Sequence, residues 1–355
     1  MSRLHDPEYR GFASDNYAGA HPEVIQAIID ANVGHQIAYG EDVYTARLQE
    51  VVRGHFGEQA QAFPVFNGTG ANVTALTSVL PRWGAVIATS TAHIHTDENA
   101  APERVSGLKL LTVDTPDGKL TPELIATEAW GWGDEHRAQP LAVSVTQSTE
   151  LGTLYTADEI RAITDYAHEH GMVVHLDGAR LSNAGAALGG DLRSFTTDAG
   201  VDILSLGGTK NGLLYGEAVV VLRPEVADGL TYLRKLLMQL SSKMRFASAQ
   251  LIALYEGDLW LRSASHANAM AARLRGALEA AIDAGDVQGL AFTQATQANA
   301  VFATLPPGVA DRLRERFRFY DWNPATGEVR WMTAFDTTEA DIDAFVAEIV
   351  RVLGR

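Results

Sequence analysis

The sequence predicts an α/β protein whose mainly parallel central sheet is followed by a smaller α+β unit. Three observations carry this prediction. Short, unbroken apolar runs recur between residues 63 and 222, the texture of strands buried on both faces. Amphipathic segments with helix start signals lie between several of these runs. After Leu222 the texture shifts to helical stretches, closed by two strand-like runs and a last helix.

In chain order, residues up to about Gly19 lack periodicity and read as an arm, with a polar cluster at Phe12-Ala13-Ser14-Asp15-Asn16-Tyr17. His21-Pro22-Glu23 opens a helix with proline near its first turn. Tyr39-Gly40-Glu41-Asp42 is a turn before a helix carrying Leu48, Val51, Val52 and Phe56. Phe63 to Phe66 reads as a strand, Asn67 to Asn72 as a glycine turn, and Val73 to Leu80 as a helix. Further strands are expected at Ala85 to Ala88, Leu108 to Val113, Leu141 to Val145, Met172 to Leu176, Ile203 to Leu206 and Ala218 to Leu222. Thr121-Pro122-Glu123 caps one helix, and Thr156-Ala157-Asp158-Glu159 is a capping box opening another that ends at Gly171. Helices dominate from Pro224 to about Ala284, followed by strands at Ala300 to Leu305 and Val329 to Thr333 and the helix Glu339 to Leu353. This divides the chain into an arm (1–20), a large domain (21–250) and a small carboxy-terminal domain (251–355).

Composition narrows the function. The 355 residues are 46% hydrophobic and 20% charged, an ordinary globular balance. A formal net charge of −16 disfavours nucleic acid and anionic membrane surfaces as partners. The absence of cysteine excludes disulfides, thiolate catalysis and Cys-ligated metal sites. The polar start Met1-Ser-Arg-Leu-His-Asp-Pro is unlike a signal peptide, and no apolar run nears the roughly 18–20 residues that span a bilayer, so a cytoplasmic protein is expected.

Four stretches can carry chemistry. The turn Asn67 to Asn72 offers backbone N–H groups at a helix start, which suit a phosphate, or it needs glycine for geometry alone. Thr91 to Glu98 holds His93 and His95, able to stack on a flat ring or move a proton; a solvated loop is the plain alternative, and the spacing of His93, His95, Asp97 and Glu98 matches no defensible metal site. Asp177 ends an apolar strand, where it can keep a pyridinium nitrogen protonated, and Arg180 can grip a carboxylate or phosphate; a helix cap with a surface arginine is the alternative. Lys210 stands in Gly207-Gly208-Thr209-Lys210-Asn211-Gly212, just after a buried strand. A lysine with lowered pKa there can form a Schiff base with an aldehyde, or it is a solvated loop lysine.

Taken together, these segments resemble the L-threonine aldolase family, in the β-eliminating lyase group of fold-type-I pyridoxal-phosphate enzymes. Ser14-Asp15-Asn16, Tyr39-Gly40-Glu41-Asp42, Lys243-Met244-Arg245 and Val329-Arg330 extend the likeness over almost the whole chain, and Asp-Gly-Ala-Arg (177–180) and Thr-Lys-Asn-Gly (209–212) are its most specific pieces. The resemblance implies a transferase-like large domain of that fold type. It implies Lys210 as the Schiff-base lysine, Asp177 as partner of the pyridine nitrogen, His93 as the ring-stacking residue, and Gly68, Thr69 and Gly70 around the phosphate. Ser14, Arg180 and Arg330 would bind the substrate carboxylate. Tyr39 and Arg245 would reach a neighbouring subunit's site, in a homodimer or homotetramer.

The expected reaction is cleavage of L-threonine, L-allo-threonine and related β-hydroxy-α-amino acids to glycine and an aldehyde, with no metal. The alternatives are a β-eliminating lyase or amino-acid racemase on the same cofactor, or a binding protein that has lost catalysis. Many family members carry a histidine near the substrate's β-hydroxyl where Gln147 stands here. Gln147 can hydrogen-bond a hydroxyl but cannot act as a base. His93 is then the first candidate base, with His95 or a water near Glu98 behind it.

Overall fold

The computed structural model describes residues 3–354; Met1 and Ser2, which begin the predicted arm, and Arg355 lie outside the described residues. Seven strands form the large sheet: β1 (Gln61–Val65), β2 (Gly84–Thr89), β3 (Lys109–Val113), β4 (Gln139–Thr146), β5 (Val173–Gly178), β6 (Ile203–Leu206) and β7 (Glu217–Val221). Their order is β1-β7-β6-β5-β4-β2-β3. The five strands from β6 to β3 pair in parallel, while β7 runs antiparallel to both β6 and β1. Pro64, which has no N–H to give a ladder, is tolerated because β1 is an edge.

Helices cover both faces, which is why the central strands are apolar without alternation. On β7, Ala218 and Val220 pack into one core with Leu48, Ile160, Ile163 and Leu251. Val219 and Val221 face the other way, against Ala71 and Ala75 of the helix Gly68–Val79. That helix begins at Gly68, not at Val73 as the glycine content suggested. Asn67 caps it by accepting the Gly70 N–H at 2.8 Å, so the predicted turn is a cap plus a first helical turn.

The carboxy-terminal part holds a second, four-stranded antiparallel sheet, β10-β11-β9-β8, built from β8 (Ala291–Phe292), β9 (Ala300–Thr304), β10 (Tyr320–Asn323) and β11 (Glu328–Met332). Its core joins Val301, Trp331 and Phe345 to Leu274 and Leu278 of the helix Leu259–Asp283. The amino-terminal arm enters this core. Phe12 is 1% exposed and stacks on Phe345 at 4.3 Å, and its backbone bonds Arg318 and Met332. Burying that ring contributes on the order of 2–3 kcal/mol, enough to hold an otherwise aperiodic segment. The two cores part inside the long helix, since Leu259 and Trp260 belong to the first and Met270 to the second.

Candidate active site

The parallel strands bring their carboxyl ends to one edge, where open α/β sheets gather ligands. The stretch after β2 supplies His93, β5 supplies Asp177 and the loop after β6 supplies Lys210. Gly68, Asn72, His93, Glu98, Glu150, Asp177, Arg180 and Lys210 share one narrow cleft there.

Asp177 is buried, and its oxygens accept from the Asn72 amide at 2.8 Å and the Ala179 N–H at 3.0 Å. Burial alone would raise its pKa. The charges of His93 and Lys210, with the Ala179 N–H, overcome this and hold the carboxyl below its ordinary value. Asn72 spends its second amide hydrogen on Glu98 at 2.8 Å, and Glu98 receives His93 Nδ1 at 2.8 Å. The Glu98 bond is the main reason the His93 pKa is raised, against burial. Two residues below Asp177, His175 lies between Ser144 (2.9 Å) and Ser205 (3.0 Å), and burial pushes its pKa down to about 4. A neutral imidazole thus braces the sheet beneath the carboxylate.

Lys210 occupies a short turn, Thr209–Asn211. Burial lowers its pKa first and the Arg180 charge adds to this, while Asp15, Asp177 and Glu217 oppose. Glu217, at the start of β7, anchors the turn by accepting the N–H groups of Gly208 (2.7 Å) and Thr209 (3.4 Å). Burial pushes its own pKa up to about 7. Gly207 is required by close approach: a Cβ there would lie 2.5 Å from the Ala179 carbonyl oxygen. Its own carbonyl accepts the Tyr255 hydroxyl.

The cleft opens into a chamber of about 610 Å³ walled by the arm and the small domain, through Ser14, Asn16, Tyr320, Trp322 and Arg330. Arg180 meets Asp15 in a two-point ion pair, Nε–Oδ2 2.7 Å and Nη2–Oδ1 3.0 Å, with Asn299 donating to Asp15 at 3.1 Å. Its burial removes the surface-arginine alternative. Arg330 has no ion pair or hydrogen bond among the described residues; its Nε is buried without a partner and its guanidinium lies 5.0 Å from the Trp322 ring. Burial first, then repulsion from Arg180, lowers its pKa to about 10. An unpaired, half-buried cation facing a chamber suits a carboxylate ligand.

Gly68 lines the cleft, and the N–H groups of Gly68 and Thr69 point out of the helix start, while that of Gly70 is spent on Asn67. Gln239 lies over the same turn, accepting the Phe66 N–H at 3.0 Å. Tyr39 and Arg245 stand outside this cleft and chamber. Their segments meet each other, through Tyr39 N–H to Ser242 (3.0 Å) and Arg245 to Gly34 (3.2 Å). Two expectations are corrected. Gln147 does not reach the site: it is fully buried, and its amide is spent on both backbone groups of Tyr155 (2.8 and 3.0 Å). Gln147 lies just past the end of β4, and while Thr146 and Ser148 on either side of it line the cleft, its own side chain is turned to the Tyr155 backbone. His95 is exposed and lines neither cavity. Asp97 is exposed while Glu98 is buried, and among the described residues no cluster of His, Asp or Glu could hold a metal ion.

Sequence reasoning missed Asp15, Glu150, Glu217 and Asn299 as parts of this site. Asp15 sat in a segment already noticed for its neighbours, and Glu150 lies three residues beyond Gln147. Glu217 and Asn299 are polar residues beside apolar runs, and only tertiary packing makes them buried.

Comparison with known proteins agrees with this geometry. The family model described as "Beta-eliminating lyase" matches residues 11–304. The chain is 42% identical over 344 residues to a low specificity L-threonine aldolase of Pseudomonas sp., covering 96% of this chain and 97% of that one. A Pseudomonas aeruginosa protein of the same name is 42% identical over 345 residues, 97% and 98% of the two chains. Among solved structures, a Leishmania major threonine aldolase superposes with a TM-score of 0.90 at 29% identity, covering 97% of this chain and 100% of that one. From its carboxyl-edge site to its near full-length relatives, the chain belongs to the β-eliminating lyase family.

Proposed function

We propose that this protein is a pyridoxal-phosphate-dependent aldolase that cleaves L-threonine, L-allo-threonine and related L-β-hydroxy-α-amino acids to glycine and an aldehyde. The observation that carries this reading is that half-buried Lys210, its pKa lowered, and buried Asp177, its pKa also lowered, share one cleft at the ends of neighbouring strands. Its substrate range follows that of the low specificity L-threonine aldolases it is similar to.

The residues present fit the cofactor. Gly68 and Thr69 would receive its phosphate at the helix start, where the space beside Gly68 is open. Asp177 would hold the ring nitrogen protonated, and His93, fixed by Glu98, would stack on the ring. When bound, pyridoxal phosphate supplies an aldehyde that takes an amine and a ring that accepts the electron pair left at Cα. Lys210 contributes a half-buried amine whose lowered pKa raises its neutral, nucleophilic share. Arg330, with Ser14 and the Arg180 atom not engaged by Asp15, would orient the substrate carboxylate in the chamber.

We further infer a homo-oligomer with shared sites. Val33, Ile37, Tyr39, Leu236 and Met238 are exposed near the paired segments of Tyr39 and Arg245, an apolar surface suited to a second copy. Mixing inactive Lys210→Ala and Arg245→Ala proteins tests this: regained activity supports sites completed across subunits, and none argues against it. For the reaction, the purified protein with added cofactor is expected to show imine absorbance and to release glycine from threonine, allo-threonine and phenylserine. Pyruvate and ammonia from L-serine, without glycine from threonine, would favour β-elimination instead.

A further inference from the structure

We propose that Glu150 is the base that takes the proton from the substrate's β-hydroxyl. This rests on the aldolase reading above and names the residue that reading lacks.

The argument begins with position. The inner cleft and the outer chamber share four lining residues: His93, Glu150, Arg180 and Lys210. A substrate whose amine reaches the cleft and whose carboxylate reaches Arg330 must place its reacting bond at this boundary. Of the four, Arg180 is a guanidinium held by Asp15 and cannot accept a proton. Lys210 is committed to the cofactor. His93 is tied through Nδ1 to Glu98, and that bond favours its protonated form.

Glu150 is differently placed. Its Oε1 accepts the His93 backbone N–H at 2.9 Å and the Thr146 hydroxyl at 2.8 Å, which fixes the carboxylate. Its Oε2 is buried and has no partner among the described residues. A buried carboxylate oxygen without a donor is costly unless a ligand supplies one, and a β-hydroxyl is such a donor. Gln147, the residue at the expected histidine position, faces away, whereas Glu150 comes from the same loop and faces in.

Its surroundings suit the task. Burial, then the Asp177 carboxylate, raises the Glu150 pKa, opposed by the His93 N–H and the Thr146 hydroxyl. Arg180 stands on one side, Tyr155 beneath, His93 and Lys210 at the boundary, and Arg330 and Asp97 across the chamber. A general base is most effective when its pKa lies near the working pH. In the step, the hydroxyl O–H bond breaks toward Glu150, and its electron pair forms the aldehyde C=O. The Cα–Cβ pair remains with the glycine fragment, which takes up one proton at Cα. The sum transfers one proton and needs no co-reactant.

The decisive variant is Glu150→Gln, which keeps the Oε1 acceptor and so keeps both structural hydrogen bonds. Its kcat on L-threonine is expected to fall about 10²–10⁴-fold, while cofactor absorbance and the spectrally measured glycine affinity stay at wild-type values. The acidic limb of the wild-type kcat/KM profile, lying above the ordinary glutamate range, should shift in Glu150→Asp and vanish in Glu150→Gln. Infrared titration of the cofactor-free protein gives an activity-independent readout: one protonated-carboxyl band persisting above that range disappears in Glu150→Gln, leaving that of Glu217. A Glu150→Gln enzyme that turns over normally, or one that has lost glycine binding, overturns the proposal. A wild-type enzyme that releases no glycine overturns the aldolase reading as well, so the two failures are distinguishable.

Discussion

At the edge of the large sheet the buried charges partner one another, whereas across the chamber they wait. Asp177, Asn72, Glu98 and His93 form a continuous chain of hydrogen bonds, and Arg180 is paired with Asp15. Arg330, carried by the small-domain strand β11, makes no ion pair among the described residues. The first region is preorganised, so its polar groups need no rearrangement to act on charge that develops during reaction. The second gains its missing partner only when a carboxylate enters. Chemistry should therefore be lost by changes at the sheet edge, and affinity by changes across the chamber.

The largest expected effect is at the lysine. Lys210→Ala should abolish both imine absorbance and turnover, and a variant retaining both would break the comparison at its strongest point. Next, Asp177→Asn keeps the shape but removes the charge; kcat should fall on the order of 10²–10³-fold with cofactor still bound, as read by absorbance and steady-state kinetics. Arg330→Leu should act on the other side of the divide, raising KM for threonine about 10–100-fold with a smaller change in kcat. A fall in kcat alone would place Arg330 with the sheet-edge group.

Two further tests concern stability, and a last one cofactor affinity. Asp15→Asn leaves Arg180 buried with half its partner and should cost about 3 kcal/mol in denaturant unfolding. Burial would raise the Asp15 pKa, but Arg180, Lys210 and Asn299 lower it below the ordinary 3.8. Its contribution is thus present above that value and is lost as pH falls through the lower folded value. His175 acts at milder acidity. Its folded pKa of about 4 lies below the ordinary 6.5, so the folded state resists protonation and stability declines as pH falls from 6.5 toward 4. His175→Asn should flatten that decline, measured as Tm against pH. The smallest effect is expected at Gly70→Ala, where a methyl would meet the Gln239 carboxamide at 2.3 Å; a flexible side chain can yield, so weaker cofactor affinity with near-normal kcat is the expected outcome.

Much of the sheet edge was legible in the sequence because its residues end short apolar strands. Asp177 and Lys210 are polar residues at the boundary of runs whose burial follows from pattern alone. Asp15 and Glu150 lie in aperiodic stretches, so nothing local shows that packing will draw them into the site. Gln147 was misplaced by the same limit: it lies just past the end of β4, and only the course of the chain there decides that Thr146 and Ser148 line the cleft while Gln147 turns to Tyr155. The short strands β8 and β10 were missed because one has two residues and the other is polar and largely exposed.

The most direct test of the account is covalent trapping. The purified protein would be loaded with pyridoxal phosphate, reduced with borohydride and digested for peptide mapping. The account predicts one cofactor fixed per chain, on Lys210, with the label absent from the Asp177→Asn protein only if loading itself has failed. A cofactor fixed on another lysine, or none fixed despite saturating loading of the unaltered protein, would contradict it.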